Sequence, residues 1–364
     1  MSKLPRVIFG PEIWSLQVEG GISRYFQQLI RGLSESEISG KVLTQVHANS
    51  RMHGAPIKGF EILSLKDLKN PYEEISRLLE QETEGNIFHP TYYSQKLVNI
   101  REPKTKLVVT VFDMISELYP ERKPRFRKVV DEKKTSLEKA DHILSISKQT
   151  KDDLINIYQV PEEKITVTYL GSNLHLLPED ASSKLAKNSF ILYVGKRGGY
   201  KNFTNFITAY SRSKFLKLSF SIIAVGGGEF SSAEIIELQN LGISDKVTQI
   251  DVNDMQLAMY YRKAACLVYP SLYEGFGLPP LEAMSLGCAV IASLGGSIPE
   301  ICDGAAQYFD PTSVDSIQQV LEVTLADEQR MNQMRQSGLM IAESFTWEKT
   351  ASDTLEVYKK LIVS

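Results

Sequence analysis

Short apolar runs, separated by longer segments with helical spacing, constrain the fold of this chain more than any other feature. Such runs, each about four to eight residues long, suit strands that are covered on both faces of a sheet. Between them, apolar residues follow one helical face, as at Tyr25, Leu29 and Leu33. The alternation predicts an α/β fold with parallel sheets wound by right-handed crossovers. The runs are RVIFG (6–10), KLVVTVF (106–112), HILSIS (142–147), KITVTYL (164–170), FILYVG (190–195), FSIIAVG (220–226), CLVYP (266–270) and CAVIAS (288–293).

One plan of strand, glycine-containing loop and helix occurs twice. RVIFG leads through Gly20 and Gly21 into SRYFQQLIRGL, and FILYVG leads through KRGGYKN into NFTNFITAY. At 364 residues the chain also exceeds the size at which a single core keeps growing. The polar segment PEDASSKLAKNS (178–189) lacks apolar periodicity and marks the break. We therefore expect two doubly wound, Rossmann-like domains, 1–178 and 179–346, that face a cleft and bind ligands at the carboxyl ends of their strands.

Charge and cysteine content exclude several classes of protein. The net charge of −3 gives no general attraction for nucleic acid, so we expect no nucleic-acid partner. The cysteines are three, and two of them lie in apolar runs, which indicates reduced core residues and neither a disulfide framework nor a metal cluster. The first residues have too short an apolar stretch for a signal peptide, and no run of about 18 apolar residues occurs. We expect a cytoplasmic protein.

The stretch YPSLYEGFGLPPLEAMSLG (269–287) has the features of a loop that receives an anion. Gly275 and Gly277 let the backbone approach a ligand closely, and Pro279 or Pro280 suits the first turn of a helix. The amides at a helix start favour a group such as a diphosphate. Gly287 is suited to end this helix in a left-handed conformation.

Glu274 and Glu282 flank this loop. A diphosphate would repel both carboxylates, so we expect each to accept hydrogen bonds from hydroxyl groups, Glu274 from a sugar and Glu282, in the first helical turn, from a ribose. This pattern indicates a site for a nucleotide sugar. The alternative is that Glu282 only interacts with the helix dipole and Glu274 is a surface charge.

The segment GKRGGYKN (195–202) supplies cations beside a second glycine turn. Arg197, with its planar fork, and Lys201, a mobile point charge, are suited to neutralise a diphosphate leaving group. The alternative is two solvated side chains on an ordinary turn. GGGE (226–229) forms a third tight turn after a predicted strand, and alone it indicates little.

YEGFGLPPLEAM, in which seven residues separate Glu274 from Glu282, is followed by GCAVIAS and GGSIPEICDGAA. This stretch resembles the donor site of the family 4 glycosyltransferases, which have the two-domain GT-B fold. The resemblance covers nearly the whole chain, and it implies a C-terminal helix, 347–364, that packs back on the first domain. The other similar segments are GKRGGYKNF, GGISRYF (20–26), HPTYYS (89–94) and FTWEKTASDTLEVYKKL (345–361).

The resemblance implies a role for each matching residue. Gly21 would face the donor diphosphate, Arg197 and Lys201 would bind it and stabilise the departing nucleotide, and Glu282 would hold the ribose. Glu274 would contact the transferred sugar. The backbone near sugar and phosphate would be that of Gly275, Phe276, Gly277 and Leu278, and the base would lie against 251–264, including Val252.

The reaction that the resemblance implies is a retaining transfer without a bound metal or other cofactor. Cations and helix starts that balance the diphosphate agree with metal independence, whereas retention comes from the resemblance alone. A UDP-hexose such as UDP-glucose is the first expectation for the donor, with GDP-mannose as the alternative. The acceptor is a sugar or a lipid-linked oligosaccharide in polysaccharide or glycolipid synthesis.

One departure from the family concerns the acceptor side. After KLVVTV many relatives have a His-Asp pair, but this chain has Phe112 and Asp113. Asp113 becomes the candidate for acceptor contact, and Phe112 is suited to stack on a sugar ring. His89, at the end of the predicted strand NIFHP, is a further candidate, although a lone histidine is more often structural.

The segment ERKPRFRKVVDEKK (121–134) carries seven basic and three acidic residues, with Phe126, Val129 and Val130 interleaved. Such a segment suits peripheral contact with the inner face of an anionic membrane, where a lipid-linked acceptor is presented. A solvated helix face is the alternative.

Three further classes of function compete with the transferase. A dinucleotide-dependent oxidoreductase is disfavoured because no GxGxxG follows the first strand. A sensor that binds a nucleotide sugar without transferring it, and a phosphorylase or epimerase on the same fold, both remain open.

Overall fold

The computed structural model describes residues 5–17, 20–36, 38–44, 57–65, 69–80, 86–100, 104–120, 125–174 and 189–363. The chain divides into two compact units. Unit 1 comprises Met1–Gly171 and Trp347–Ser364, and unit 2 comprises Ser172–Thr346. The predicted boundary segment, 178–189, lies outside the described residues except for Ser189.

Unit 1 contains a seven-stranded parallel sheet in the order β3-β2-β1-β4-β5-β6-β7. Its strands are β1 (Arg6–Phe9), β2 (Ser39–Thr44), β3 (Phe60–Ser64), β4 (Asn86–His89), β5 (Lys106–Val111), β6 (His142–Ser145) and β7 (Ile165–Val167). Its first seven helices are α1 (Glu12–Leu16), α2 (Gly21–Ser34), α3 (Pro71–Glu80), α4 (Gln95–Asn99), α5 (Ile115–Leu118), α6 (Arg125–Lys139) and α7 (Lys148–Tyr158).

Unit 2 contains a six-stranded parallel sheet in the order β10-β9-β8-β11-β12-β13. Its strands are β8 (Phe190–Val194), β9 (Ser221–Val225), β10 (Val247–Ile250), β11 (Cys266–Tyr269), β12 (Ala289–Ser293) and β13 (Ala306–Phe309). Its helices are α8 (Phe203–Arg212), α9 (Lys214–Ser219), α10 (Ser232–Asn240), α11 (Asp254–Lys263), α12 (Leu278–Ser285), α13 (Ile298–Cys302), α14 (Val314–Leu325) and α15 (Glu328–Ala342).

The last helix, α16 (Trp347–Val363), belongs to unit 1. It packs against α2, where a Cβ on Gly32 would lie 2.5 Å from the Cβ of Ala351, so the glycine permits the close approach. Thr350 Oγ1 also donates to the carbonyl of Tyr169 at 2.6 Å. The helix is thereby fixed to unit 1 by packing and by a hydrogen bond.

Both sheets switch strand order beside their first strand, which is the doubly wound plan. The prediction of two Rossmann-like domains is therefore confirmed, and every predicted apolar run contains a strand. The runs were recognisable because central strands are covered on both faces, as in β11 and β12, where every residue is buried. Cys266 and Cys288 are buried and unpaired, as predicted, and Cys302 is also buried and unpaired.

Candidate functional site

Three loops of unit 2 follow neighbouring parallel strands and therefore lie at one edge of the sheet. The first follows β8 and ends in a one-turn 3-10 helix, Gly199–Lys201. The second follows β9, and the third follows β11 and carries Glu274. The first and third loops are joined by hydrogen bonds from Leu272 N to Tyr200 O at 2.7 Å and from Asn202 Nδ2 to Pro270 O at 3.1 Å. These bonds hold the loop of Lys201 against the loop of Glu274.

Lys201 and Glu274 form an ion pair between these two loops. Lys201 Nζ lies 2.6 Å from Glu274 Oε1 and 3.3 Å from the hydroxyl of Tyr269, the last residue of β11. Both side chains of the pair are largely shielded from water, with 17% of Lys201 and 10% of Glu274 exposed. Burial and the neighbouring carboxylate of Glu274 raise the pKa of Tyr269 well above its usual value, so its hydroxyl stays protonated.

The loop that carries Glu274 is shaped by the segment after β12. Ser297 donates from its amide to Glu274 O at 3.0 Å, and its hydroxyl lies 2.8 Å from Phe276 O. Gly296 has a φ of +63°, and a Cβ there would lie 2.2 Å from Glu274 O. Only glycine fits at this position, because both its conformation and the close approach exclude a side chain.

Helix α12 begins where the sequence predicts. Gly277 precedes it with a φ of +106°, and proline stands in its first turn. Phe276 is buried and packs edge-on against Phe345. Gly287 follows the helix with a φ of +68°, the left-handed conformation that the sequence predicts.

Glu282 lies just beyond the first turn of α12, in which the sequence places it. It is the fifth residue of the helix, which begins at Leu278. Its side chain is buried, and Tyr261 of α11 donates to Oε2 at 3.1 Å. The alternative, in which Glu282 interacts only with the helix dipole, does not account for this hydrogen bond from Tyr261.

Arg197 does not present a free planar fork, contrary to the sequence prediction. Its side chain is 4% exposed, and its guanidinium contacts Glu234 of α10 and the carbonyls that follow β9. Desolvation would raise the pKa of Glu234, but the hydrogen bonds from Arg197 and Ser231 outweigh it and hold that pKa below its usual value. Glu234 is therefore ionised and pairs with Arg197.

Val252 and Gly21 are the two other residues that the sequence predicts on the donor side. Val252 lies half-buried between β10 and α11, and α11 begins with a capping box formed by Asn253 and Gln256. Gly21 is exposed at the start of α2 in unit 1, after an extended Gly20. Gly21 is the first residue of α2, whereas the sequence predicts it in the loop before that helix, and Val252 lies two residues before α11.

His89 lies in the core of unit 1, and the expectation of an acceptor contact is wrong for this residue. It is fully buried, its Nδ1 lies 2.5 Å from the hydroxyl of Tyr358, and its Nε2 lies 2.8 Å from Thr110 Oγ1. Burial lowers its pKa to about 3. The imidazole is a neutral structural group that joins β4, β5 and α16.

Phe112 is also packed internally, which removes the predicted stacking on a sugar ring. Its ring is 7% exposed and lies edge-on to the rings of Tyr25 and Phe26. Asp113 is half-buried at the carboxyl end of β5, and its Oδ1 accepts from Ile115 N at 2.9 Å. Of the predicted acceptor residues, Asp113 alone keeps partial access to solvent.

Lys133 of α6 supports the main chain at Asp113. Its ammonium donates to Asp113 O at 2.8 Å and pairs with Glu117 at 2.8 Å, and only 1% of the side chain is exposed. Glu117 also accepts from the hydroxyl of Tyr158 at 2.6 Å. Burial and this carboxylate raise the pKa of Tyr158.

The position of Lys133 changes the interpretation of the basic segment 121–134. Residues 121–124 lie outside the described residues, and α6 begins at Arg125. Lys133 faces inward, so it is not one of the surface cations that contact with a membrane requires. In the described part of the chain, every helix is too short or too polar to span a bilayer.

Three residues that support the candidate site were not predicted from the sequence: Glu234, Ser297 and Tyr261. Glu234 lies in α10, and nothing nearby in the sequence indicates that it holds Arg197. Ser297 lies within GGSIPE, a segment used for the resemblance, and its small polar side chain after two glycines was the available signal. Tyr261 gave no signal, because its contact with Glu282 depends on how two helices pack. In the described part of the chain, no group of three or more His, Cys, Asp or Glu side chains is placed to hold a metal ion.

Two family models match this chain. The model described as Glycosyltransferase Family 4 matches residues 19–176, and the model described as Glycosyl transferases group 1 matches residues 179–339. Together the two ranges cover most of the chain and include all three strand-end loops of unit 2.

Named relatives are similar over part of their length. The chain is 29% identical to the O-antigen chain mannosyltransferase B of Escherichia coli, over 70% of this chain and 71% of the relative. It is 32% identical to the O-antigen chain mannosyltransferase RfbU of Salmonella typhimurium, over 59% of each. It is 26% identical, over 81% of each, to a Campylobacter jejuni N-acetylgalactosaminyltransferase whose name gives a diphospho-undecaprenol-linked sugar as its acceptor.

Solved structures share the fold. A glycosyltransferase from Rickettsia africae superposes with a TM-score of 0.75 and 15% identity and covers 100% of both chains. At this identity the likeness shows the fold alone, which is that of the GT-B glycosyltransferases.

Proposed function

The chain belongs to the family 4 glycosyltransferases, and from this premise we propose that it moves a hexose from a nucleoside-diphosphate sugar to a sugar acceptor in polysaccharide synthesis. The transfer retains the anomeric configuration and needs no bound metal. The observation that carries the proposal is the ion pair between Lys201 and Glu274, which joins two strand-end loops of unit 2.

Each member of the pair has a distinct task. Lys201 provides a cation for the diphosphate, whose charge grows as the bond to the sugar breaks. At the start of α12 the amides of Gly277 and Leu278 add donors for the same charge, since Pro279 and Pro280 have none. Glu274 accepts hydrogen bonds from hydroxyl groups of the transferred sugar, and Gly296 and Ser297 fix its main chain. The cation and the helix start balance the diphosphate in the way that other transferases use a metal.

Glu282 and Val252 complete the nucleotide end. Glu282 holds the ribose hydroxyls, with its second oxygen oriented by Tyr261. The loop that contains Val252 lines the base. Asn253, which caps α11, gives that loop a fixed end.

Mannose is the first candidate for the transferred sugar, because the first relatives carry mannosyltransferase names. GDP-mannose is then the donor. The UDP-hexose that the sequence alone favoured is the alternative. On the acceptor side, the Campylobacter relative, whose name gives a diphospho-undecaprenol-linked sugar, supports a lipid-linked sugar. Asp113 is the residue of unit 1 that we assign to acceptor contact.

The test is a transfer assay that separates an enzyme from a sensor. The protein is incubated with GDP-mannose, UDP-glucose, UDP-galactose or UDP-N-acetylhexosamines, with and without EDTA, in the presence of simple glycosides and polyprenol-linked sugars. Mass spectrometry detects the glycosylated product and the free sugar from hydrolysis, and NMR reports the anomeric configuration of the product.

We expect one donor family to give product, with unchanged yield in EDTA and a retained configuration. Binding of a donor without product or hydrolysis would favour the sensor. A need for inorganic phosphate would favour a phosphorylase, and conversion of the donor without an acceptor would favour an epimerase.

A further inference from the structure

Tyr269 is the last residue of β11, and its hydroxyl reaches the ion pair of the candidate donor site. The strand, Cys266–Tyr269, is buried throughout, so three apolar residues precede one residue with a polar end. Only 2% of Tyr269 is exposed. Lys201 donates to its hydroxyl oxygen at 3.3 Å and to Glu274 Oε1 at 2.6 Å. Because a buried hydroxyl without a partner would destabilise the fold, the contact with Lys201 also supports the packing of the ring.

The two contacts define the direction of the ammonium group of Lys201. An ammonium carries three N–H groups on a flexible stem, and a single contact leaves it free to rotate. Here one N–H points at Glu274 and a second points at Tyr269, which fixes the direction of the third. In the part of the chain that the structure describes, no acceptor takes this third N–H. It is therefore available to a ligand.

Aromatic rings shield this ammonium group from water. The ring centroid of Tyr200, in the same loop as Lys201, lies 5.2 Å from Nζ, and the ring centroid of Tyr269 lies 5.4 Å from it. Only 17% of the Lys201 side chain is exposed. Where water is scarce, a contact between a charge and a dipole is stronger than in solution. The hydroxyl of Tyr269 therefore does for Lys201 what a water molecule does for an exposed ammonium.

The protonation state of Tyr269 suits this contact. Burial and the carboxylate of Glu274 raise the pKa of Tyr269 well above its usual value, so the hydroxyl is neutral near pH 7. A tyrosinate would compete with a phosphate for Lys201. A neutral hydroxyl accepts from the ammonium and leaves its positive charge for another group. Tyr269 thus orients the cation without neutralising it.

A bound donor affects the three groups differently. In the proposed function, its diphosphate takes the third N–H of Lys201 and its sugar hydroxyls bind the carboxylate of Glu274, so the ion pair shares its charges with the ligand. Tyr269 is buried and keeps its contact with Lys201. We propose that Tyr269 is a positioning residue, whose hydroxyl keeps the ammonium of Lys201 directed at the donor diphosphate as the bond to the sugar breaks. This inference rests on the proposed function.

The experiment compares the unsubstituted protein with Tyr269→Phe and with the control Tyr210→Phe. Each variant keeps its ring and loses one hydroxyl inside unit 2. The hydroxyl of Tyr210 donates to Phe220 O at 2.6 Å, at the amino end of β9 and so at the edge of the sheet opposite the three loops. Thermal unfolding without ligand shows whether each variant is folded at the assay temperature. Calorimetry with UDP and GDP gives nucleotide affinity, and the transfer assay gives kcat and donor KM.

For Tyr269→Phe we expect kcat to fall about tenfold, while the affinity for the nucleoside diphosphate changes less than about threefold, because the charge on the diphosphate is largest in the transition state. Tyr210→Phe should lower the melting temperature and keep kcat. In a Lys201→Ala background, measured over prolonged incubation, Tyr269→Phe should change the rate less than about twofold, because the cation that it positions is gone.

An unchanged kcat in Tyr269→Phe, or a change equal to that of the control, would overturn the proposal and leave the hydroxyl a role in packing alone. A full tenfold loss in the Lys201→Ala background would also overturn it, because Tyr269 would then act without the lysine. If the unsubstituted protein bound no nucleotide and transferred no sugar, the proposed function itself would fail. Transfer by the unsubstituted protein that Tyr269→Phe leaves intact would instead remove only this inference.

Discussion

Lys201 Nζ lies 2.6 Å from Glu274 Oε1, so the cation and the carboxylate of the candidate donor site are in direct contact. The contact fixes the flexible lysine and compensates the charge of a carboxylate that is largely removed from water. A donor can then share the lysine without a change in the loops. This preorganisation is the physical basis of the predictions that follow.

Replacing Glu274 should separate sugar transfer from nucleotide binding. In Glu274→Gln the side chain keeps its size and can accept from Lys201, but its charge is lost. We expect kcat to fall about 100-fold, while the affinity for the nucleoside diphosphate changes less than about threefold. Steady-state rates and calorimetry on the same preparation measure both. Full transfer activity in this variant would show that Glu274 is not part of the site.

The role of Glu282 should appear in how strongly nucleotide affinity depends on the ribose hydroxyls. Glu282→Ala should weaken binding of the nucleoside diphosphate about tenfold or more, because a buried oxygen pair no longer accepts from the ribose hydroxyls. The same variant should lose the preference for the ribonucleotide over its 3′-deoxy and 2′-deoxy analogues. Tyr261→Phe, which removes only the donor to Glu282, is the matched control and should keep most of that preference. Equal losses for all the analogues would contradict a ribose contact.

His89 should contribute a pH dependence to stability. Its folded pKa of about 3 lies below its ordinary value of 6.5, so the folded protein binds fewer protons than the unfolded chain between these values. The contribution of neutral His89 to the free energy of unfolding is therefore fully present above pH 6.5 and is lost as the pH falls toward 3. The slope is at most about 1.4 kcal/mol per pH unit.

His89→Gln, which can bond to Tyr358 and Thr110 but does not titrate, should flatten this dependence. Urea unfolding at about pH 7 and about pH 5 measures it. An equal loss of stability in both proteins between these conditions would show that His89 is not the source. Transfer activity near neutral pH should change little, because His89 is a core residue.

Lys133 and Glu117 should behave as a coupled buried pair. Lys133→Met leaves Glu117 without its cation and should cost about 3 kcal/mol or more of unfolding free energy. The double variant Lys133→Met with Glu117→Gln should recover part of this loss, because Gln still accepts from Tyr158 and brings no charge. Strictly additive losses would contradict the coupling. The single variant should also raise the acceptor KM more than the donor KM, since Lys133 supports Asp113.

The central strands and the donor loop were predictable from sequence because the residues that indicate them lie close together along the chain. Central strands are apolar at nearly every position, and the donor loop has its glycines, prolines and glutamates within one short stretch. The missed strands include β3, β10 and β13, which lie at or beside sheet edges and have partly exposed residues, so their apolar runs are interrupted. β2, with an exposed first residue and a lysine within it, was missed for the same reason.

Other features depend on contacts that a single sequence does not contain. The hydroxyl that fixes His89 belongs to Tyr358, 269 residues away along the chain. The engagement of Arg197 depends on left-handed glycines that turn their carbonyls toward it. The inward direction of Lys133 follows from how α6 packs, although its composition suggested a basic surface.

The central claim, a nucleotide-sugar donor site built on Lys201 and Glu274, is tested most directly by equilibrium binding. Thermal shift is measured with UDP, GDP, ADP, NAD and the common sugar conjugates, with and without magnesium, on the unsubstituted protein and on Lys201→Ala. The account predicts a shift with one nucleoside diphosphate and its sugar, unaffected by magnesium and reduced in Lys201→Ala. A shift with NAD alone, or one that Lys201→Ala leaves unchanged, would contradict it.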